Sequence, residues 1–153
     1  MAEPTPFAMS KHFSALIGRD VKFEQLPKPV PSQAKQMFGV YKIVPADVSR
    51  VVQADLPLLG AFGGALMGLP ADSIKERLAS AGIEETLRDA IHEVLNVAST
   101  VVCTEHRAIF QKMYADPAYF PDTAVDVFRD PLYRSYFKVS VAGYEGGAFS
   151  LFG

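Results

Sequence analysis

The pattern of apolar and polar positions opens with a helix. From Thr5 to Ile17, the residues Phe7, Phe13, Leu16 and Ile17 recur at roughly helical spacing, and Gly18 stands where a C-cap belongs. Val21 to Leu26 (VKFEQL) alternates apolar with polar, the period of a strand. The proline-rich stretch Pro27 to Ser32 supports neither helix nor inner strand and predicts a loop or an edge. Two further strands are predicted over Gln36 to Val44 and Arg50 to Ala54, joined by a turn at Pro45 to Asp47.

Asp55-Leu-Pro57 predicts a helix start, with an acid at the cap and proline in the first turn. The run from Leu56 to Leu69 is fourteen residues without a charge. A membrane-spanning helix needs about 20, so this one reads as a buried helix of a soluble protein. Gly60, Gly64 and Gly68 fall four residues apart along it. Glycine weakens a helix, and the expected reason for the repeat is another backbone packed closely against it. A phosphate-cradling loop would need a G-K-[ST] ending or a strand–GxGxxG–helix setting, and the sequence has neither.

Pro70-Ala-Asp72 restarts a short helix that is expected to end at Gly82. The longest predicted helix runs from about Ile83 into the region of Phe110, with Arg107 to Met113 as the place where it could turn off. Past Tyr114 the chain is rich in proline and aromatic residues. Tyr114-Ala-Asp-Pro-Ala-Tyr119 and Phe128-Arg-Asp-Pro-Leu-Tyr133 read as two similar Asp-Pro turns, not as a repeat. The C-terminal YFKVSVAGYEGGAFSLF alternates, breaks at Gly143 to Gly147 and resumes, which predicts a β-hairpin. Helix, strands, helices, strands is the order of an α+β fold: an antiparallel sheet with long helices packed on one face.

Composition narrows the partners. The 153 residues suit a single domain spanning 1–153, and the 49% apolar and 21% charged content is that of a globular chain. Net charge is −2 and the fifteen basic residues form no run, which disfavours nucleic acid and anionic membranes as partners. Cys103 is the one cysteine, so no internal disulfide can form. With no secretory pattern at the N-terminus, a reducing, cytoplasmic location is expected.

The chemistry gathers on the helix that begins at Ile83. At about 100° per residue, Ile83, Leu87, Ile91, Val94, Leu95, Ala98, Val101 and Val102 form one apolar stripe. Asp89, Glu93, Asn96 and Thr100 fall in a narrow arc opposite, at spacings of four, three and four. A helix seated by its stripe would present acid, acid, amide and hydroxyl in a row. An amphipathic helix must have some polar face, and the same row also suits a face that only meets water.

Asp89-Ala-Ile-His-Glu93-Val-Leu-Asn96 resembles the [D/S]-x-x-x-E-x-x-N helix of the CheC/CheX/FliY-type chemotaxis phosphatases. In that family strands, an apolar helix with small residues and a short spacer precede the motif, and Val51 to Asn96 follows this order. Asn96 is the only asparagine, so a second motif is impossible and the layout is similar to single-site, CheX-like members. The resemblance implies removal of phosphate from the aspartyl phosphate of a CheY-like receiver domain. Asn96 would orient a water for in-line attack, Glu93 would hold a lysine of the receiver, and Asp89 would fill the first motif position. It implies no cofactor bound by this chain, Mg2+ supplied at the partner's site, and a homodimer. The alternative is a non-catalytic binding or dimerisation domain of the same fold.

Other constellations are thinner. Cys103 and His106, three apart, could share a helix face as metal ligands or as a nucleophilic pair. His92 lies eleven residues before Cys103, about 16 Å along a helix, too far to join them. A small core residue is the plainer reading of Cys103.

Overall fold

The computed structural model describes residues 3–79 and 83–153. Six strands form one sheet: β1 (Val21–Leu26), β2 (Gln36–Val44), β3 (Val48–Asp55), β4 (Arg107–Tyr114), β5 (Arg134–Val141) and β6 (Gly147–Phe152). Their order is β1-β5-β6-β3-β2-β4, and every neighbouring pair is antiparallel. Among the described residues the helices are α1 (Pro6–Ile17), α2 (Leu56–Met67), α3 (Ala71–Ala79), α4 (Glu85–Val97), α5 (Ser99–Val102) and α6 (Asp122–Arg129), with a 3-10 turn at Pro117–Tyr119.

Strand alternation sorts the apolar residues onto two faces. Tyr41, Ile43, Val52, Ala54, Phe149 and Leu151 point into the main core with residues of α1, α2 and α4. Their sequence neighbours Phe38, Val40, Val51 and Phe152 point the other way, against Phe120 and Ala124. The long helices therefore share one face, as their order in the sequence implies, and the short α6 covers part of the other. The main core is held centrally by aromatic contact: Phe13 of α1 stacks on Phe62 of α2 with ring centroids 4.8 Å apart, and both are fully buried. Burying each such ring stabilises the fold by about 2–3 kcal/mol. The first helix has the limits its sequence predicts. The Thr5 hydroxyl accepts the Ala8 N–H at 3.1 Å, and Gly18 ends the helix at φ +68°.

The course of the longest predicted helix is corrected. The helix starting near Ile83 does not run toward Phe110: α4 stops at Val97, α5 adds one turn, and Cys103 is extended at φ −143°. The segment expected to continue it, Arg107–Tyr114, is the edge strand β4, paired along β2. Thr100, Val101 and Val102 are β-branched and weak helix formers, and the ladder to β2 satisfies the backbone that follows. The end proposed at Gly82 for the preceding helix lies outside the described residues, within which α3 extends to Ala79.

The glycine face of α2 also has a different cause. A Cβ on Gly60 would lie 2.7 Å from Leu78 Cδ1, and one on Gly64 would lie 2.0 Å from Ile74 Cδ1. These glycines admit side chains of α3, not a backbone. Gly68 is the left-handed C-cap at φ +74°. Backbone approach occurs instead at Gly63, whose Cβ would sit 3.2 Å from the Ile91 nitrogen of α4. Asp55 stands at the N-cap position, yet its carboxylate makes no cap bond. It accepts from the Ser32 hydroxyl, the Gln36 amide and the Ala148 N–H, tying the loop after β1 and the start of β6 to β3.

Candidate functional site

The site is built on α4. Leu87, Ile91, Val94 and Leu95 are buried, and the missing side chain at Gly63 lets α2 press close to the Ile91 backbone. At the last turn the Tyr41 hydroxyl, fully buried on β2, donates to the Leu95 carbonyl at 2.5 Å. Seven residues later the Arg50 guanidinium donates to the Val102 carbonyl at 2.5 Å, fixing the end of α5. The helix is thus held along its length and at its C-terminal end. Burial raises the Tyr41 phenol above its usual range, so the hydroxyl keeps its proton and remains a donor.

Asp89, Glu93 and Asn96 are all exposed on the side away from that core. The helical rise separates Asp89 from Glu93 by about 6 Å and Glu93 from Asn96 by about 4.5 Å along the axis. Among the described residues, no hydrogen bond or ion pair engages any of the three side chains. The structure therefore brings the three predicted residues into one open row. Thr100, the fourth member of the arc, is exposed on α5 and donates to the Val97 carbonyl at 3.3 Å.

Beyond Asn96 the chain turns from α5 into β4 and leaves a cavity of about 460 Å3, lined by Asn96, Ser99, Thr104, His106 and Arg107, with Cys103 and Ala108 deeper in. Sequence reasoning missed it, because it exists only once Cys103 is extended and β4 folds back. The one available signal was the abrupt change from the apolar stripe at Val102 to the polar Thr104–Arg107. Cys103 and His106 do not share a helix face: Cys103 is buried and its thiol free, while His106 is exposed in the turn. Among the described residues no three His, Cys, Asp or Glu side chains group as a metal site.

A second polar cluster lies behind the site. The Arg50 guanidinium sits 5.5 Å from the centre of the Tyr133 ring. Burial pushes the Tyr133 phenol up to about 12, against the opposing pull of Arg50. Its hydroxyl has no hydrogen-bond partner among the described residues.

No protein-family profile and no curated protein matches this chain. Solved structures do. FliY of Thermotoga maritima superposes with a TM-score of 0.59 at 15% identity, covering 94% of this chain and 80% of that one. The FliM middle domain of H. pylori gives 0.55 at 11% identity, covering 96% and 83%. CheX in the CheX–CheY–BeF3–Mg2+ complex of Borrelia burgdorferi gives 0.52 at 11% identity, covering 93% and 88%. The chain has the α+β fold of the CheC/CheX/FliY-type proteins. No helix among the described residues is long and apolar enough to cross a membrane.

Proposed function

We propose that this chain is a phosphatase for the aspartyl phosphate of a response-regulator receiver domain. The observation that carries the reading is the open row Asp89, Glu93 and Asn96 on a helix whose other side and C-terminal end are fixed. In-line hydrolysis of an acyl phosphate needs a placed water more than a strong base. The Asn96 carboxamide has both a donor and an acceptor with which to orient one. Glu93 is one turn back, where it would hold a lysine of the receiver, and Asp89 extends the acidic edge. Any Mg2+ would sit with the partner's phosphorylated carboxylate. That the similar CheX was solved with CheY favours this kind of partner.

A second reading is a protein-binding domain without catalysis, favoured by the FliM of the H. pylori FliG–FliM complex, which superposes with a TM-score of 0.56 at 10% identity. The test charges receiver domains of the host with a small phosphodonor and Mg2+ and follows phosphate loss. Acceleration by the wild-type protein and none by Glu93→Ala/Asn96→Ala is the expected result. No acceleration across the whole panel would leave the binding reading. Pairing of two copies is part of the proposal by resemblance, and a monomeric mass in solution would remove it.

A further inference from the structure

The cavity beside Asn96 has a chemistry of its own. None of the described residues lining it is acidic, whereas Arg107 and His106 bring cationic or N–H donor groups to it and Ser99 and Thr104 bring hydroxyls. The Thr100 hydroxyl also borders it, with its proton committed to the Val97 carbonyl. Glu105, between Thr104 and His106 in sequence, is not part of the lining, and its charge acts on Tyr133.

The ends of two helices would ordinarily make this a poor place for an anion, because C-terminal carbonyls carry partial negative charge. Here three of those carbonyls already accept a side-chain donor, Leu95 from Tyr41, Val97 from Thr100 and Val102 from Arg50, and none of these three accepting residues lines the cavity. What the cavity itself offers is a set of side-chain donors with no acidic side chain among them. The acids Asp89 and Glu93 stand up the helix, on the far side of Asn96, so the surface divides into an acidic edge and a cationic hollow with the amide between them.

We infer that this cavity is an oxyanion subsite that takes a phosphate group, with Arg107 as its principal anchor and His106, Ser99 and Thr104 as additional donors. Arginine is suited to the role because its planar fork can donate two parallel hydrogen bonds to one phosphate. The site goes beyond the phosphatase reading and does not require it. If that reading holds, the subsite lies where a phosphoryl group beside Asn96 would be received or released.

The experiment titrates the full chain with inorganic phosphate and follows backbone amide shifts by NMR, with chloride at matched ionic strength as the control. Saturable shifts confined to residues 96–109, given by phosphate and not by chloride, are the expected result. Arg107→Ala should weaken binding by about tenfold or more, the usual size of a lost charge-assisted hydrogen bond. Arg107→Lys should recover only part of it. Arg107 is exposed, and an unchanged amide spectrum outside the cavity will confirm that the variants fold. Linear shifts with no saturation, equal shifts with chloride, or undiminished binding by Arg107→Ala would each overturn the inference. Asn96→Ala separates the two proposals: it should slow receiver dephosphorylation by about a hundredfold while leaving most phosphate binding in place.

Discussion

The Tyr41 hydroxyl, inside the sheet, donates to the carbonyl of Leu95, the residue immediately before Asn96. The carbonyl comes from the last turn of α4, where a helix has no internal partner to offer it. Tyr41 also packs its ring against Phe110 at 5.3 Å, so β2, α4 and β4 meet at one side chain.

Tyr41→Phe keeps the ring and removes only the donor. A buried carbonyl left without a partner costs about 1–3 kcal/mol. The denaturation midpoint in urea should therefore fall by an equivalent amount with the slope unchanged. The amide signals of Leu95 and Asn96 should shift more than those of Leu87. A variant as stable as the wild type would show that water reaches Leu95 and that the helix end is not held as described.

Gly64→Ala tests the packing of α3 on α2. Helix propensity alone favours alanine by about 1 kcal/mol. The added methyl would lie 2.0 Å from Ile74 Cδ1 and 2.5 Å from Cγ1, and Ile74 is itself buried and β-branched. Overpacking of this kind costs about 1–3 kcal/mol, so the net effect should be destabilising. Combining it with Ile74→Val should return part of the loss, giving a non-additive double-mutant cycle. Simple additivity would place the conflict elsewhere.

These contacts show why the sequence was legible in some places and opaque in others. Elements bounded by local chemistry were readable: Thr5 and Gly18 around α1, the alternation of Val21 to Leu26, and the glycine break at Gly143 to Gly147 before β6. The row Asp89, Glu93 and Asn96 was readable because one helix sets it. The strand β4 was not. Ile109, Phe110 and Met113 continue a helical spacing from the stripe before them, and only pairing with β2, more than sixty residues earlier, makes Arg107–Tyr114 extended. The short α6 was hidden for a similar reason, since its eight residues acquire a core only against β3 and the far face of the sheet. Arg107 and His106 could not be placed beside Asn96 without that fold-back.

His12 gives a dependence on pH. Its Nε2 is buried without a hydrogen-bond partner among the described residues, and burial lowers its pKa below the ordinary 6.5. The folded protein therefore holds this imidazole neutral where the unfolded chain would protonate it. Stability linked to His12 is fully present above about pH 6.5 and is lost as pH falls through the lowered folded pKa. Melting temperatures measured from pH 8 to pH 5 should decline more steeply for the wild type than for His12→Gln. Parallel profiles would mean that His12 finds a proton acceptor or water in solution.

The last prediction rests on the phosphatase reading and divides the labour along α4. Asn96 would act on the water, so Asn96→Ala should lower kcat by about a hundredfold, the scale expected when a reacting group loses its placement, with KM little changed. Glu93 would act on the partner's lysine at an exposed rim, where one charge pair contributes roughly 1 kcal/mol or less. Glu93→Ala should then raise KM by a few-fold, and the difference from wild type should shrink as salt is added. Single-turnover rates at saturating protein, followed over a series of ionic strengths, separate the two effects. Were both substitutions to change only KM, the row would be a docking edge, and the chemistry would belong to the receiver alone.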